Sequence, residues 1–180
     1  YRAGVVGSES VRGDGGAGMA AVVVSFESAF DRLINSEGGY VNDPADPGGE
    51  TNFGISKRSY PTLDIRALTR EDAISIYRRD YWDKCRCSEL PHGMDLMTFD
   101  AAVNQGVNAS IKILQRSLKV KDDGVIGPVT IAAAAKVIDT THAVTKQSAQ
   151  RMVAYGLNPN FTRYGEGWSV RLMETFAACL

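Results

Sequence analysis

Apolar side chains recur at helical spacing along most of the chain and predict a mainly α-helical fold. Ser25 is a suitable N-cap, and the five residues Phe26, Ala29, Phe30, Leu33 and Ile34 that follow it fall on one face of a helix. Further helical patterns are predicted near 69–81 and 94–105, after Asn108, from Pro128 into 132–135, near 141–155, and around Trp168, Leu172 and Phe176.

The pattern changes between residues 40 and 56, where apolar and polar positions alternate over a short distance. Asp43-Pro44 and residues 46–49 are turn signals, and Thr51, Phe53 and Ile55 alternate with small or polar residues as in a strand. We therefore expect one small β-hairpin or irregular β-loop within the helical fold.

Composition limits the classes of protein that this chain can represent. Its 180 residues are 44% apolar and 23% charged, with a net charge of −1, which suits one globular domain and excludes disorder over the whole chain. No apolar run is long enough to cross a bilayer, and there is no basic excess of the kind that general nucleic-acid binders carry. We expect a monomer that neither binds nucleic acid nor inserts stably into a membrane.

The first residues differ in character from the rest of the chain. Residues 1–18 are rich in Gly and Ser and predict a loose tail or an added segment, with Met19 as the natural start. The apolar stretch Met19–Val24 is only six residues long and lacks a basic region before it, so no clear signal peptide is predicted and synthesis in the cytoplasm is expected.

Cysteine and histidine do not form a recognisable site in the sequence. The three cysteines Cys85, Cys87 and Cys179 make a poor disulfide framework and a poor zinc site, and they favour free thiols from a reducing compartment. His92 and His142 have no sequence partners that suggest a catalytic triad. No metal ion or organic cofactor is implied.

Glu37 is the first candidate for chemistry, because it lies at the predicted end of a helix. The negative end of the helix dipole, together with any burial beside Tyr40 or Phe53, would raise the pKa of a carboxyl group there. A carboxyl that stays protonated near neutral pH can serve as a general acid. A solvated glutamate at a helix end is the alternative interpretation.

A second group of polar residues follows Glu37 in the predicted hairpin region. Asp46 is either a second carboxylate or a plain turn residue, and Thr51 either holds a water molecule or only favours a strand. Glu50 could be a further carboxylate, although exposure on a strand is favoured. Two carboxylates that flank a cleft are the minimal equipment for glycoside hydrolysis.

Several motifs in this order resemble glycoside hydrolase family 108, a group of muramidases that includes phage endolysins and proteins once labelled secretion-activating. The matching segments are Glu37–Tyr40, Asp43–Thr51, Asn52–Ser56, Tyr77–Trp82, Phe99–Gly106, Leu114-Gln115, Asp123–Thr130 and Gly167–Arg171. The resemblance implies a lysozyme-like helical fold with a hairpin beside the active site and Glu37 as the catalytic acid. Many phage lysozymes have eight residues between a Glu and an Asp, and five residues between that Asp and a Thr. Here eight residues separate Glu37 from Asp46, but only four separate Asp46 from Thr51, and Asn52 holds the place of the Thr.

The resemblance also implies a division of the chain and a substrate. Residues 19–107 would form a lysozyme-like catalytic part, and residues 108–180 a helical, peptidoglycan-binding-like part packed in the same globule. The two parts carry different charge: 11 Lys and Arg against 16 Asp and Glu before residue 108, and 9 against 5 after it. This asymmetry would suit a carboxylate-bearing wall polymer, or it is scatter in a small sample.

The implied activity is that of an N-acetylmuramidase, which hydrolyses the β-1,4 bond from N-acetylmuramic acid to N-acetylglucosamine in peptidoglycan glycan strands. Glu37, Asp46 and Thr51 are the predicted catalytic residues, and the predicted substrate-binding residues are Tyr40, Glu50, Asn52, Trp82 and Asn104. The aromatic rings could stack on sugars or fill the core, and Asn104 could bind sugar amides or cap a helix. The site of action would be the cell wall in the periplasm, after release or export. The alternative functions are a non-catalytic peptidoglycan-binding or secretion-assisting module, and a hydrolase of another glycan such as chitin.

Overall fold

A computed structural model describes residues 25–34, 39–42 and 49–180. The helices are α1 (Phe26–Ile34), α2 (Arg70–Tyr77), α3 (Met94–Gln105), α4 (Val107–Ser117), α5 (Pro128–Ala134), α6 (Thr140–Gly156) and α7 (Phe161–Ala178), and the strands are β1 (Thr51–Asn52) and β2 (Ile55–Ser56). A π-helical turn at Arg78–Trp82 continues α2, and a 3₁₀ turn at Cys87–Glu89 precedes α3. The prediction of a mainly α, lysozyme-like fold with one small β-hairpin is confirmed.

Helix α1 forms as its sequence predicts. The Ser25 hydroxyl accepts a hydrogen bond from the backbone N–H of Ser28 at 3.3 Å, which satisfies one of the free donors at the helix start. Phe26, Ala29, Phe30 and Leu33 are buried, while the opposite face is exposed. Burial of this stripe holds a helix that is too short to be stable alone.

The hairpin is tighter than simple alternation suggests. Thr51 pairs with Ser56 and Asn52 with Ile55, so Phe53 and Gly54 form the turn instead of continuing a strand. Both turn residues have positive φ, +50° for Phe53 and +72° for Gly54, as a two-residue hairpin turn requires. The Tyr77 hydroxyl donates to the Phe53 carbonyl at 3.0 Å and so ties the turn to α2.

Helix α2 begins with a capping box. The Thr69 hydroxyl accepts from the Asp72 backbone N–H at 3.2 Å, and the Asp72 carboxylate accepts from the Thr69 N–H at 3.0 Å. Ion pairs from Arg70 to Asp31 and from Arg78 to Glu27 join this segment to α1. They are surface pairs, so packing contributes more to this contact than they do.

Helix α3 lies at the centre of the fold. Every residue from Met94 to Ala102 is buried, because α1, α4, α6, α7 and both short turns pack around the helix. On one side, Phe99 meets the rings of Phe26 and Trp82 edge-on, with centroid distances of 5.9 and 5.4 Å. One core therefore runs through both predicted parts of the chain. None of the helices in the described ranges is long and apolar enough to span a membrane.

Residues 118–127, between α4 and α5, are held in place by hydrogen bonds to the buried side chain of Gln115. Gln115 of α4 is 1% exposed, and its Nε2 lies 2.9 Å from Asp123 Oδ1 and 3.0 Å from the Val125 carbonyl oxygen. Its Oε1 accepts from the Gly124 backbone N–H at 2.9 Å. The Asp-Gly motif near residue 123 therefore turns around a buried side-chain amide.

Candidate functional site

Two of the three predicted catalytic residues, Glu37 and Asp46, lie outside the described residues. In the sequence, Glu37 follows the last residue of α1, Ile34, by three positions and precedes Tyr40 by three. Asp46 falls within the segment that joins Asn42 to Gly49. Their roles as acid and second carboxylate remain predictions.

Thr51 closes the segment that contains Asp46. Its backbone N–H donates to the Val41 carbonyl, and its carbonyl accepts from the Val41 N–H, both at 2.8 Å. These two bonds form an antiparallel bridge across the base of residues 42–50. The Thr51 hydroxyl is partly buried and lies 3.5 Å from the Gly49 carbonyl oxygen, which is a weak contact. Glu50 is partly buried, not fully exposed as favoured from the sequence.

Tyr40 presents an accessible ring beside this bridge. Its side chain is 39% exposed, and the Arg66 guanidinium lies 5.7 Å from the ring centroid. A cation at that distance contacts the ring electrostatically and restrains its position. The Tyr40 ring is therefore accessible, and its contact with a sugar stays a prediction.

Asn52 faces the interior. It is 6% exposed, and its Nδ2 donates to the carbonyl oxygens of Ile65 at 3.1 Å and Leu68 at 3.3 Å. These bonds satisfy two carbonyls of the irregular segment before α2. The amide donors expected to bind substrate are thus used to hold the hairpin against residues 65–68.

Trp82 also lies in the core instead of at the surface. It is 2% exposed, it stacks edge-on against Phe26 and Phe99, and its indole Nε1 donates to the Ser88 hydroxyl at 2.7 Å. A ring enclosed on these sides offers no face to a sugar. The core alternative that the sequence left open is the arrangement seen for Trp82.

Asn104, at the end of α3, is partly buried and belongs to a polar network. Its Oδ1 accepts from the Tyr155 hydroxyl at 2.7 Å, and that hydroxyl in turn lies 3.0 Å from Arg151 Nη2. Arg151 Nε donates to Gln105 Oε1 at 3.0 Å. The structure therefore brings Asn104 together with α6, not with a cap of its own helix.

Asp100 links this network to α7. Its two oxygens accept from Arg151 Nη2 at 2.6 Å and from Arg171 Nε at 2.8 Å. Arg151 is fully buried and Asp100 is 6% exposed, so each charge depends on its partner. Sequence reasoning missed this cluster. Asp100 lies within the mostly apolar helix α3, and this was a sequence signal for a buried charge. Nothing in the sequence near Arg151, on the predicted helix 141–155, indicates that its side chain is buried.

A cavity of about 580 Å³ lies between α1, α3 and α7, next to this ion-pair cluster. Arg32 and Leu33 from the last part of α1 line one side, and Arg171 and Glu174 line the other. Phe99 and Leu96 form an apolar floor. A polar rim over an apolar floor is typical of small-molecule sites in proteins.

Tyr60 and Asp80 form a second polar pair. Tyr60 follows the hairpin, and Asp80 lies in the π-helical turn after α2. The Tyr60 hydroxyl donates to Asp80 Oδ2 at 2.9 Å, and they line a cavity of about 380 Å³ with Tyr81, Lys84 and Val107. Hydrogen bonds from Arg79 and Tyr60 lower the pKa of Asp80 to about 2, although partial burial opposes them. Asp80 is therefore ionised near neutral pH and is unsuited to be a general acid.

In the ranges 25–34, 39–42 and 49–180, no cluster of three or more His, Cys, Asp or Glu side chains is arranged to hold a metal ion. All three cysteines are free thiols and buried. Burial raises the pKa of Cys179 to about 12, so this thiol is not a ready nucleophile.

Comparison with known proteins identifies the family of the chain. A family model described as Glycosyl hydrolase 108 matches residues 30–106, which include the second half of α1, the hairpin, α2 and α3. The structure of SagA from Brucella abortus matches with a TM-score of 0.78 and 33% identity, over 86% of this chain and 92% of that chain. No curated protein matches the chain. With the fold, the family model and SagA in agreement, the chain belongs to glycosyl hydrolase family 108.

Proposed function

We propose that the protein is an N-acetylmuramidase of the lysozyme type that hydrolyses the β-1,4 bond between N-acetylmuramic acid and N-acetylglucosamine. Membership of glycosyl hydrolase family 108 and the likeness to SagA support a lysozyme-like hydrolase of peptidoglycan. The single observation that carries the proposal is the family match over residues 30–106, since that range contains Glu37, Asp46 and Thr51 in order. The partner is the peptidoglycan glycan strand.

The proposed roles follow from the chemistry of glycosidic bonds. Glu37 donates its proton to the leaving oxygen, and Asp46 stabilises the oxocarbenium-like state or activates water. Thr51 helps to place that water by its hydroxyl. The bridge between Val41 and Thr51 supports this grouping, because it closes the segment that carries Asp46 at its base. Tyr40 and Glu50 stand beside this bridge as proposed sugar contacts.

The central experiment is a turbidity assay on Gram-negative cells with a permeabilised outer membrane. Glu37→Gln keeps the shape of the side chain but removes the acidic proton, so lysis should fall at least about a hundredfold. Glu71→Gln on the exposed first turn of α2 is the matched control and should lyse like the wild type. Equal lysis by the Glu37→Gln variant and the wild type would remove Glu37 from the mechanism.

The released fragments identify the bond. Mass spectrometry after borohydride reduction should find N-acetylmuramitol, the alditol formed from a reducing end on N-acetylmuramic acid. Reducing ends on N-acetylglucosamine would indicate a glucosaminidase, and free stem peptides would indicate an amidase. Asp46→Asn and Thr51→Ala then rank the partners of Glu37, and near-normal rates in both would remove them from the mechanism.

The alternative proposal is a non-catalytic peptidoglycan-binding or secretion-assisting module. It would keep the fold and the 123–130 motif without needing Glu37. Wall binding that survives Glu37→Gln, together with no fragment release by the wild type, would favour it. Under either proposal the wall is reached after release or export, and fractionation of expressing cells checks this.

A further inference from the structure

Arg151 and Tyr155 of α6 are the donors in the hydrogen bonds that reach the side chains at the end of α3. Arg151 donates from Nη2 to the Tyr155 hydroxyl oxygen at 3.0 Å and from Nε to Gln105 Oε1 at 3.0 Å. The Tyr155 hydroxyl lies 2.7 Å from Asn104 Oδ1. One guanidinium therefore orients two neighbouring side-chain amides. It contacts Gln105 directly and Asn104 through the Tyr155 hydroxyl.

The chemistry of these groups settles which atom of each amide faces inward. A guanidinium has five N–H donors and no acceptor, so the atom of Gln105 that meets Arg151 must be its oxygen. The Tyr155 oxygen accepts from Arg151, and its hydroxyl proton is donated to Asn104 Oδ1, so the atom of Asn104 that meets Tyr155 is again the oxygen. Both amide nitrogens are thereby directed away from this network.

Burial keeps this arrangement in a single state. Arg151 is fully buried and Tyr155 is 3% exposed, whereas Asn104 and Gln105 are only partly buried. Asp100 holds the guanidinium at 2.6 Å. Burial also raises the pKa of Tyr155, so the phenol keeps the proton that it donates. Among the described residues, neither Asn104 Nδ2 nor Gln105 Nε2 has a hydrogen-bond acceptor.

We propose that Arg151 and Tyr155 are positioning residues that aim the Asn104 and Gln105 amide donors at the carbonyl oxygen of a sugar acetamido group. The inference rests on the proposed function, since the glycan of peptidoglycan carries an acetamido group on its sugars. An uncharged carbonyl is the natural partner of uncharged N–H donors, and a site built to pair it discriminates against sugars that lack it.

Binding of small sugars by the full chain tests the inference without turnover. The probes are the trisaccharide of N-acetylglucosamine and cellotriose, a neutral trisaccharide without acetamido groups, titrated by calorimetry or NMR. Wild type should prefer the acetylated trisaccharide by about tenfold or more. Asn104→Asp and Gln105→Glu keep the inward oxygen and remove the donor, so each should lose about 3–10-fold in that preference. No preference in the wild type, or an unchanged preference in both variants, would overturn the inference.

Removal of the Tyr155 hydroxyl tests the positioning role. Tyr155→Phe keeps the ring but frees the Asn104 amide to turn, so KM for peptidoglycan should rise about 3–10-fold with a smaller change in kcat. Tyr164→Phe on α7 removes a hydroxyl from a half-exposed ring and should change neither. A rise in KM equal to that of the control would exclude the role.

The two proposals fail in different ways. Glu37→Gln should abolish lysis while keeping the preference for the acetylated trisaccharide. If Glu37→Gln lyses normally but the preference responds to Asn104 and Gln105, the assignment of Glu37 is wrong and the acetamido contact stands. If lysis depends on Glu37 but the preference does not respond to the amides, only the acetamido contact is wrong.

Discussion

Gln115 Oε1 accepts a hydrogen bond from the Gly124 backbone N–H at 2.9 Å, across nine residues of sequence. The same amide reaches Asp123, Val125 and Thr130 through Nε2, at 2.9, 3.0 and 3.2 Å. A buried amide that satisfies this many loop groups fixes the loop from within. The Asp123–Thr130 motif therefore has a structural explanation that does not require contact with the wall.

Substitution of Gln115 should be costly. Gln115→Leu leaves the Gly124 N–H and the Val125 carbonyl without their buried partner, and we expect the free energy of unfolding to fall by about 2–4 kcal/mol. Arg116→Ala, next on the same helix, removes an exposed pair with Asp122 and should cost less than about 1 kcal/mol. Urea denaturation of both variants measures the difference, and equal costs would refute a structural role for Gln115.

The buried ion pairs of Asp100 predict a large loss of stability when the carboxylate is removed. Asp100→Asn leaves Arg151 charged and buried without a counter-ion, so unfolding should become easier by about 3–5 kcal/mol. Arg70→Ala breaks an exposed pair with Asp31 and should change stability by less than about 1 kcal/mol. Thermal denaturation checks both; a small effect of Asp100→Asn would mean that Arg151 finds other acceptors.

Gly93 is predicted to tolerate no side chain. Its φ is +81°, and a Cβ there would lie 2.5 Å from the backbone oxygen of Cys179 at the end of α7. Gly93→Ala should therefore destabilise the fold by at least about 2 kcal/mol, through both strain and displacement of α7. Gly156→Ala, where a Cβ meets nothing within 4 Å, is the control and should be neutral or stabilising. Two equal melting temperatures would contradict this close approach.

The depressed pKa of Asp80 predicts acid sensitivity. Its folded pKa of about 2 lies below its ordinary value of 3.8, so ionised Asp80 adds stability above about pH 4. That contribution is lost as the pH falls from about 4 towards 2. Asp80→Asn should cost about 1–2 kcal/mol near neutral pH, a cost that shrinks as the pH falls towards 2. Asp83→Asn, on a neighbouring exposed residue, is the control and should cost less than about 0.5 kcal/mol in denaturation near neutral pH.

The helices were predictable because their signals are local. The Ser25 cap and the Pro128 helix start each act within four residues, and the structure shows helix boundaries close to those expected. The hairpin was predicted as an element, but its turn was not, because alternation alone does not reveal the positive φ of Phe53.

The candidate site was less predictable because its contacts are distant in sequence. Arg151 meets Asp100 from 51 residues away, and no local pattern marks such a pair. Trp82 and Asn52 were expected to touch substrate, yet both are buried, since sequence cannot tell which face of a short segment turns to the core. Tyr40, by contrast, is 39% exposed, so of the two alternatives for its ring the core is excluded.

Gly106 is the one residue between α3 and α4, with φ of +91°, and it lies just before the predicted boundary, after residue 107, between the catalytic and peptidoglycan-binding-like parts. Helices α4, α6 and α7, which follow Gly106 in the chain, pack around α3. Recombination between family members at this point would therefore pack the central helix against helices from another protein. Chimaeras that exchange all the helices after Gly106 are therefore poor tools for exchanging substrate specificity. Substitution of exposed side chains beside the bridge of Val41 and Thr51, such as Tyr40, would leave the interior intact.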